Sequence, residues 1–217
     1  MSGLFITMEG CEGAGKSLQC KKLNAYLTNA GYDTLLTREP GGTELSEQVR
    51  KIVLDADNKN MSPAAEALLY SAARAQLVFE VIKPAIAINK IVICDRFIDS
   101  SVAYQGCARG LGTDIIKYIN AFAAEGLVPD ITFFLDISPD ESFFRKRRNA
   151  APDRIELEEK AFHQKVYEGY RTIARDDPER VVIVDARRSP QRIHEDIVEK
   201  VTSLLFYYKS VKKERSV

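Results

Sequence analysis

The sequence predicts an α/β fold, a five-stranded parallel sheet with helices on both faces, and three observations lead there. Five short apolar runs rich in β-branched or aromatic residues recur at 4–8, 34–37, 91–94, 131–135 and 181–184. They read as strands buried on both faces. Long helical patterns fill the intervals, which implies right-handed βαβ crossovers and a sheet covered on both sides. A polar residue follows each run: Glu9, Arg38 with Glu39, Asp95 with Arg96, Asp136 and Asp185. Ligands in doubly wound folds gather at the carboxyl ends of the strands, so these followers mark the expected site.

Taken in order, the first strand runs into a glycine-rich loop that opens a helix from 16 to about 30. The second strand precedes Gly41-Gly42 and a helix carrying Arg50. The stretch 63–87 is apolar around most of a helical wheel, so it predicts a helix covered on all sides and a contact with a second copy of the chain. The basic, Ala/Pro-interrupted stretch at about 144–154 predicts a short mobile lid between two helices. The polar, basic residues 209–217 predict a frayed tail. His163 and His194 lie outside every motif and read as surface helix positions.

Composition narrows the function classes. The chain has 217 residues, 45% of them hydrophobic, enough for one sizeable core and hence one domain over 1–217. Lysine plus arginine balance aspartate plus glutamate at 31 each, so no global field points to nucleic acid or to an anionic membrane surface. No apolar run approaches the roughly 20 residues needed to span a bilayer, and the N-terminal residues have no signal-peptide layout. Cys11, Cys20, Cys94 and Cys107 have neither CxxC pairing nor zinc-ligand spacing. A cytoplasmic protein with free thiols is the expectation.

Gly10-Cys11-Glu12-Gly13-Ala14-Gly15-Lys16-Ser17 matches GxxxxGK[ST], between a strand and a helix where the motif has to sit. Its glycines let successive amide hydrogens face one point, and the helix N-terminus adds positive potential, which together make a triphosphate cradle. Lys16 is then the ligand of the β- and γ-phosphates and Ser17 a ligand of Mg2+. Asp95, Asp136 and Asp185 are rival strand-end carboxylates for the metal. Asp95 is preferred because Arg96 follows it, setting a metal-side anion beside a guanidinium able to grip a phosphoryl group. No Asn-Lys-x-Asp guanine-reading motif is present, since Ile91-Val92 follows Asn89-Lys90. Two classes stay open on these residues alone, a nucleotide phosphotransferase and an ATPase switch.

With these signatures stand Thr37-Arg38-Glu39-Pro40-Gly41-Gly42-Thr43, Leu68-Leu69-Tyr70-Ser71-Ala72-Ala73-Arg74, Asp95-Arg96-Phe97, Ser100-Ser101-Val102-Ala103-Tyr104-Gln105-Gly106 and Asp153-Arg154. In this order, over most of the chain, the sequence resembles the thymidylate kinases, and the bacterial branch in particular because position 13 is glycine. The resemblance implies transfer of the γ-phosphoryl of ATP to thymidylate (dTMP), with Mg2+, in a homodimer. It assigns Arg74 as donor to the thymine O4, Gln105 or Ser101 as partners of the base, and the Tyr70 ring as a stacking platform. Tyr70 and Arg74 are one helical turn apart and face the same way. Glu12 is implied as acceptor for the 3'-hydroxyl, and Tyr104 as the ring beneath C2' that excludes a ribose.

Arg96 is the first choice for the acceptor phosphate. Arg38 and Arg50 are further candidates, with structural ion pairs as the alternative. Arg147, Arg148 and Arg154 would close over the triphosphate and stabilise charge in the transition state. The chain lacks the family's more usual Arg-x-Arg-Gly run, so which of them reaches the γ-phosphate stays open, and Asp153-Arg154 favours Arg154. Adenine is expected at the loop around Ala186 and Arg187.

Overall fold

The computed structural model describes residues 3–145 and 152–214, without the side chains of Phe144, Lys209 and 211–214. Five parallel strands form one sheet in the order β2-β3-β1-β4-β5. They are β1 (Leu4–Glu9), β2 (Thr34–Arg38), β3 (Ile91–Asp95), β4 (Ile131–Asp136) and β5 (Val181–Asp185). Each expected run is present, and each strand extends one residue further, into its polar follower. The extra residue lies in register: Met8 pairs with Asp95, Arg38 with Asp95, and Asp136 with Asp185. The chain leaves the β2/β3 side after β3 and crosses to β4, so the ends of β1 and β3 flank the switch point where such sheets bind ligands.

The helices are α1 (Lys16–Asn29), α2 (Glu44–Leu54), α3 (Pro63–Leu77), α4 (Lys83–Ala87), α5 (Ile98–Ser101), α6 (Thr113–Ala123), α7 (Pro139–Arg145), α8 (Lys160–Asp176) and α9 (Pro190–Glu214). Local chemistry fixes their starts. The Thr43 hydroxyl accepts from Ser46 N at 3.1 Å before α2, and the Ser62 hydroxyl accepts from Ala65 N at 3.2 Å before α3, with Pro63 in the first turn. The 63–87 helix is continuous but widens to a π-helical turn at Val78–Ile82. Pro84 follows at once; it has no N–H to donate and its ring crowds the preceding carbonyls, which a wider turn relieves. A second π-helical segment, Val102–Ala108, continues α5.

Alternation along β1 divides the core. Leu4, Ile6 and Met8 face α1 and α9 through Cys20, Leu23, Leu27, Ile197 and Val201. Phe5 faces the other way, towards Leu77, Val78, Ile82 and Phe97, with its ring edge-on to Phe97 at 4.9 Å. Burial of each such side chain contributes about 1.5–3 kcal/mol. Because side chains alternate with period two, Glu9 lies on the Phe5 face, inside the protein. Gly169 lets α8 approach the second π-helical segment, since a Cβ there would lie 3.1 Å from Ala103 Cα and 3.2 Å from Cys107 Sγ. Two expectations change. The tail expected to fray from Lys209 is helical to Glu214. His163 is buried on α8 rather than at the surface, with the Phe143 and Phe162 rings edge-on to it.

Candidate functional site

The phosphate loop turns out of β1 and enters α1 through Gly15, whose left-handed backbone caps the helix. Gly13 also has a left-handed φ of +77°, and a Cβ on it would meet Ser142 O at 2.5 Å, so this loop closes against α7 only without a side chain. Lys16 is buried and donates to Gly10 O at 3.0 Å and Cys11 O at 2.8 Å, folding its ammonium over the hollow of the loop. Burial lowers its pKa, with the Arg96 charge adding, while Glu12 and Asp95 oppose the drop. An anion in the loop favours the charged form again.

Ser17 Oγ donates to Asp95 Oδ2. That contact separates the three rival carboxylates, because Asp136 instead accepts from Tyr167 OH at 2.8 Å and Asp185 holds Arg187 at 2.8 Å. A hydroxyl and one carboxylate beside a phosphate cradle are the hard, sparse oxygen set that Mg2+ takes, with water and phosphate oxygens completing its shell. The donor set fits Mg2+. Among the described residues no group of three or more His, Cys, Asp and Glu side chains forms an all-protein metal cage.

Arg96 lies at the centre of a web. Its backbone is left-handed, φ 72°, a conformation that costs roughly 1–2 kcal/mol outside glycine, and its N–H donates to Met8 O at 3.0 Å. The guanidinium pairs with Glu12 and donates to Gly10 O (3.1 Å), Ser100 Oγ (3.2 Å), Tyr170 OH (3.0 Å) and Tyr104 OH (3.3 Å), lying 5.2 Å from the Tyr104 ring centre. Beneath it, Glu9 accepts from Phe97 N (2.7 Å), Ser100 Oγ (2.6 Å) and Tyr170 OH (2.9 Å). Burial is the main reason the Glu9 carboxyl is pushed up to about 7; the Asp99 charge adds, and Arg96 with the hydrogen bonds pulls it back.

A cleft of about 390 Å³ joins the phosphate loop to the acceptor residues expected from the sequence. All nine of those, Glu12, Arg38, Arg50, Tyr70, Arg74, Arg96, Ser101, Tyr104 and Gln105, line it together with Lys16, Ser17 and Asp95. Their states differ from simple expectation. Arg74 is buried, and each of its five N–H groups is engaged: Nε and Nη2 by Glu39, Nη1 by Ser101 and Asn120, and Nη2 again by Phe97 O. It is thus neither a solvated charge nor a free donor. Ser101 Oγ accepts from Arg74 at 3.0 Å, so its own proton is left to donate. Arg38 makes the ion pair weighed as its alternative, with Glu47 at 2.8 Å, and Arg50 donates to Pro40 O at 2.9 Å.

The lid region divides. Residues 146–151, including Arg147 and Arg148, lie outside the described residues. Arg154 was expected above the triphosphate; here it is buried, its Nε donating to Val53 O at 2.9 Å, its N–H to Leu54 O at 3.0 Å, and its guanidinium paired with Glu66 at 2.7 Å. A guanidinium so paired in the interior is a strut between α2 and α3. At the expected adenine loop, Arg145 donates to Ala186 O and to Arg187 O at 2.8 Å, tying that loop to the end of α7.

Comparison with known proteins decides the family. Residues 8–197 match the family profile described as Thymidylate kinase. The chain belongs to the thymidylate kinase family. A thymidylate kinase of Thermoanaerobacter sp. (strain X514) is 47% identical over 205 residues, 94% of this chain and 100% of that one. A thymidylate kinase of Geotalea uraniireducens is 46% identical over 209 residues, 94% of this chain and 98% of that one. The crystal structure of thymidylate kinase from Ehrlichia chaffeensis is 32% identical, with a TM-score of 0.74 over 93% of this chain and 99% of that one.

Family motifs in the sequence gave the residues that face the cleft, but not those behind them. Glu66, Asn120 and Tyr170 were missed, and Glu9 and Glu39 were named as strand-end residues without a role. Two of these had a local signal: Glu9 shares the inward β1 face with Phe5, and Glu66 stands one helical turn before Tyr70, as Tyr70 does before Arg74.

Proposed function

We propose that the chain transfers the γ-phosphoryl of ATP to dTMP, giving dTDP and ADP, with Mg2+ as cofactor. The observation that carries this reading is the single cleft in which the phosphate loop adjoins Tyr70, Ser101, Tyr104 and Gln105. A hydrolytic switch needs no second, base-sized pocket beside its triphosphate. Membership of the thymidylate kinase family supports the same acceptor.

The loop amides and Lys16 hold the triphosphate; to do so Lys16 exchanges the Gly10 and Cys11 carbonyls for phosphate oxygens. Ser17 and Asp95 would hold the metal, which would supply positive charge to offset the negative charge that develops on the phosphates. Arg96 grips the acceptor phosphate and reduces repulsion between two anions, and Arg38 and Arg50 serve the same end of the cleft. Glu12 takes the 3'-hydroxyl, Tyr104 fills the space under C2', and Tyr70 stacks on the base. The attacking oxygen belongs to a phosphate already anionic near pH 7, so positioning and electrostatics suffice without a strong general base. Arg154 braces this end of the cleft through its pairing with Glu66.

A homodimer and a cytoplasmic location belong to the same reading. Leu68 on α3 and Ile115, Tyr118 and Phe122 on α6 form an exposed apolar face, and the four cysteines are free thiols. Among the described residues no helix is long and apolar enough to cross a membrane. The test is ADP release, coupled to a reporter, with each nucleoside monophosphate in turn. Turnover that depends on dTMP and exceeds that with UMP, CMP or AMP is expected. Equal turnover without any acceptor overturns the proposal.

A further inference from the structure

We infer that Glu66 sets the hydrogen-bond polarity at the base end of the cleft: by binding the Gln105 amide as a donor, it turns the Gln105 carbonyl oxygen towards the acceptor base. The cleft then selects a base carrying a ring N–H over one with a bare ring nitrogen. This rests on the reading above that the acceptor is a pyrimidine nucleotide bound against Gln105.

Glu66 is a carboxylate in the interior of the protein, fully shielded from solvent. Gln105 Nε2 donates to its Oε1 at 2.8 Å, Arg109 reaches it at 3.0 Å, and Arg154 at 2.7 Å. Burial alone would push its carboxyl up, but the bonds from Arg109 and Gln105, the Arg109 charge and Arg154 outweigh burial and hold it below the ordinary carboxylate range. It is therefore ionised at neutral pH. An ionised carboxylate only accepts hydrogen bonds, so the face of the Gln105 amide turned to it has to be the NH2 group. A half-turn of that amide would set two oxygens against each other and turn its NH2 group away from the carboxylate.

The other half of the amide is consequently fixed. Gln105 Oε1 takes no hydrogen bond among the described residues, yet it is not sealed away as a buried unpartnered atom, and the space Gln105 lines is the cleft. Nearby, Ser101 Oγ accepts from Arg74 and keeps its own proton, so that hydroxyl is able to donate. The base thus meets an acceptor at Gln105, with the Ser101 hydroxyl able to donate beside it. Thymine and uracil offer the complement, a ring N3–H beside a carbonyl. Cytosine offers a bare N3 beside an amino group, and so presents like to like at Gln105. Discrimination of this kind is strong because a mismatched base leaves buried groups unpaired.

The experiment is Glu66→Gln, whose carboxamide keeps the shape but offers a donor as well as acceptors, so that either orientation of Gln105 is satisfied. The ratio of kcat/KM for dTMP to that for dCMP should fall by about tenfold or more relative to the unaltered chain. A purely structural role lowers both values together and leaves the ratio unchanged; that result overturns the inference. Should Glu66→Gln not fold, the unaltered protein supplies a second measurement, the exchange of the Gln105 side-chain amide protons followed by NMR. Protection that persists when dTMP is added supports the fixed amide, and loss of protection on binding overturns it. If the unaltered chain fails to phosphorylate dTMP, the fault lies with the acceptor assignment, whereas an unchanged ratio in an active pair of proteins refutes the role of Glu66 alone.

Discussion

Glu9→Gln should remove a pH dependence of stability that the fold builds into its own active-site floor. The Glu9 carboxyl stands at about 7 against an ordinary 4.5, mainly through burial, with Asp99 adding to the rise. At 1.36 kcal/mol per tenfold step, that gap corresponds to roughly 3 kcal/mol. The sign follows from proton counting. Between the two values the folded chain holds a proton that the unfolded chain has released, so stability falls as pH rises. The contribution is fully present below about 4.5 and is lost as pH passes through 7. Glutamine keeps an oxygen for Phe97 N and an amide that the Ser100 and Tyr170 hydroxyls can accept from, so the packing survives. Urea unfolding of both proteins from pH 5 to pH 8 measures the effect. The unaltered chain should lose about 2.5 kcal/mol relative to the variant across that range. A difference between the two that stays constant with pH would refute a buried, proton-holding Glu9.

Lys16→Met should abolish phosphoryl transfer and leave thermal stability close to the original, checked by the coupled ADP assay and a melting curve; a variant at full rate removes the phosphate loop from the mechanism. Arg74→Ala strands the Glu39 carboxylate in the interior, so it should cost about 3–5 kcal/mol in denaturant unfolding as well as weakening dTMP binding. An effect on binding with stability untouched would contradict the five-bond packing of that guanidinium. Tyr104→Ala should narrow the preference for deoxyribose over ribose, about 10- to 100-fold if overpacking under C2' costs about 1–3 kcal/mol, as measured by kcat/KM for dTMP and its ribose counterpart. An unchanged ratio would pass the role to Glu12. Burial holds His163 below its ordinary 6.5, so its contribution to stability is present above that value and lost as pH falls below it. His163→Phe should reduce the loss of stability on acidification, and the same urea series tests it.

The sequence by itself determined the five strands, their parallel arrangement, the glycine-rich loop after β1 and the residues that line the cleft. The reason is that each of these is written in local patterns: apolar runs of strand length, a glycine spacing, and motifs whose members stand within a few residues of one another. It also named Asp95 over Asp136 and Asp185 on the strength of its neighbour Arg96. Only the tertiary structure decided what lies behind the cleft. Glu39 reaches Arg74 across 35 residues, Gln105 reaches Glu66 across 39, and Tyr170 reaches Glu9 across 161. No periodicity records such pairs, because folding, rather than chain proximity, brings their charges together. The same limit explains Arg154 and His163, which a linear reading set at the lid and on the surface. Both are buried, because the segment after the lid and α8 pack inward, and it is the packing that determines whether a charged or titratable side chain meets substrate, water or a buried counter-charge.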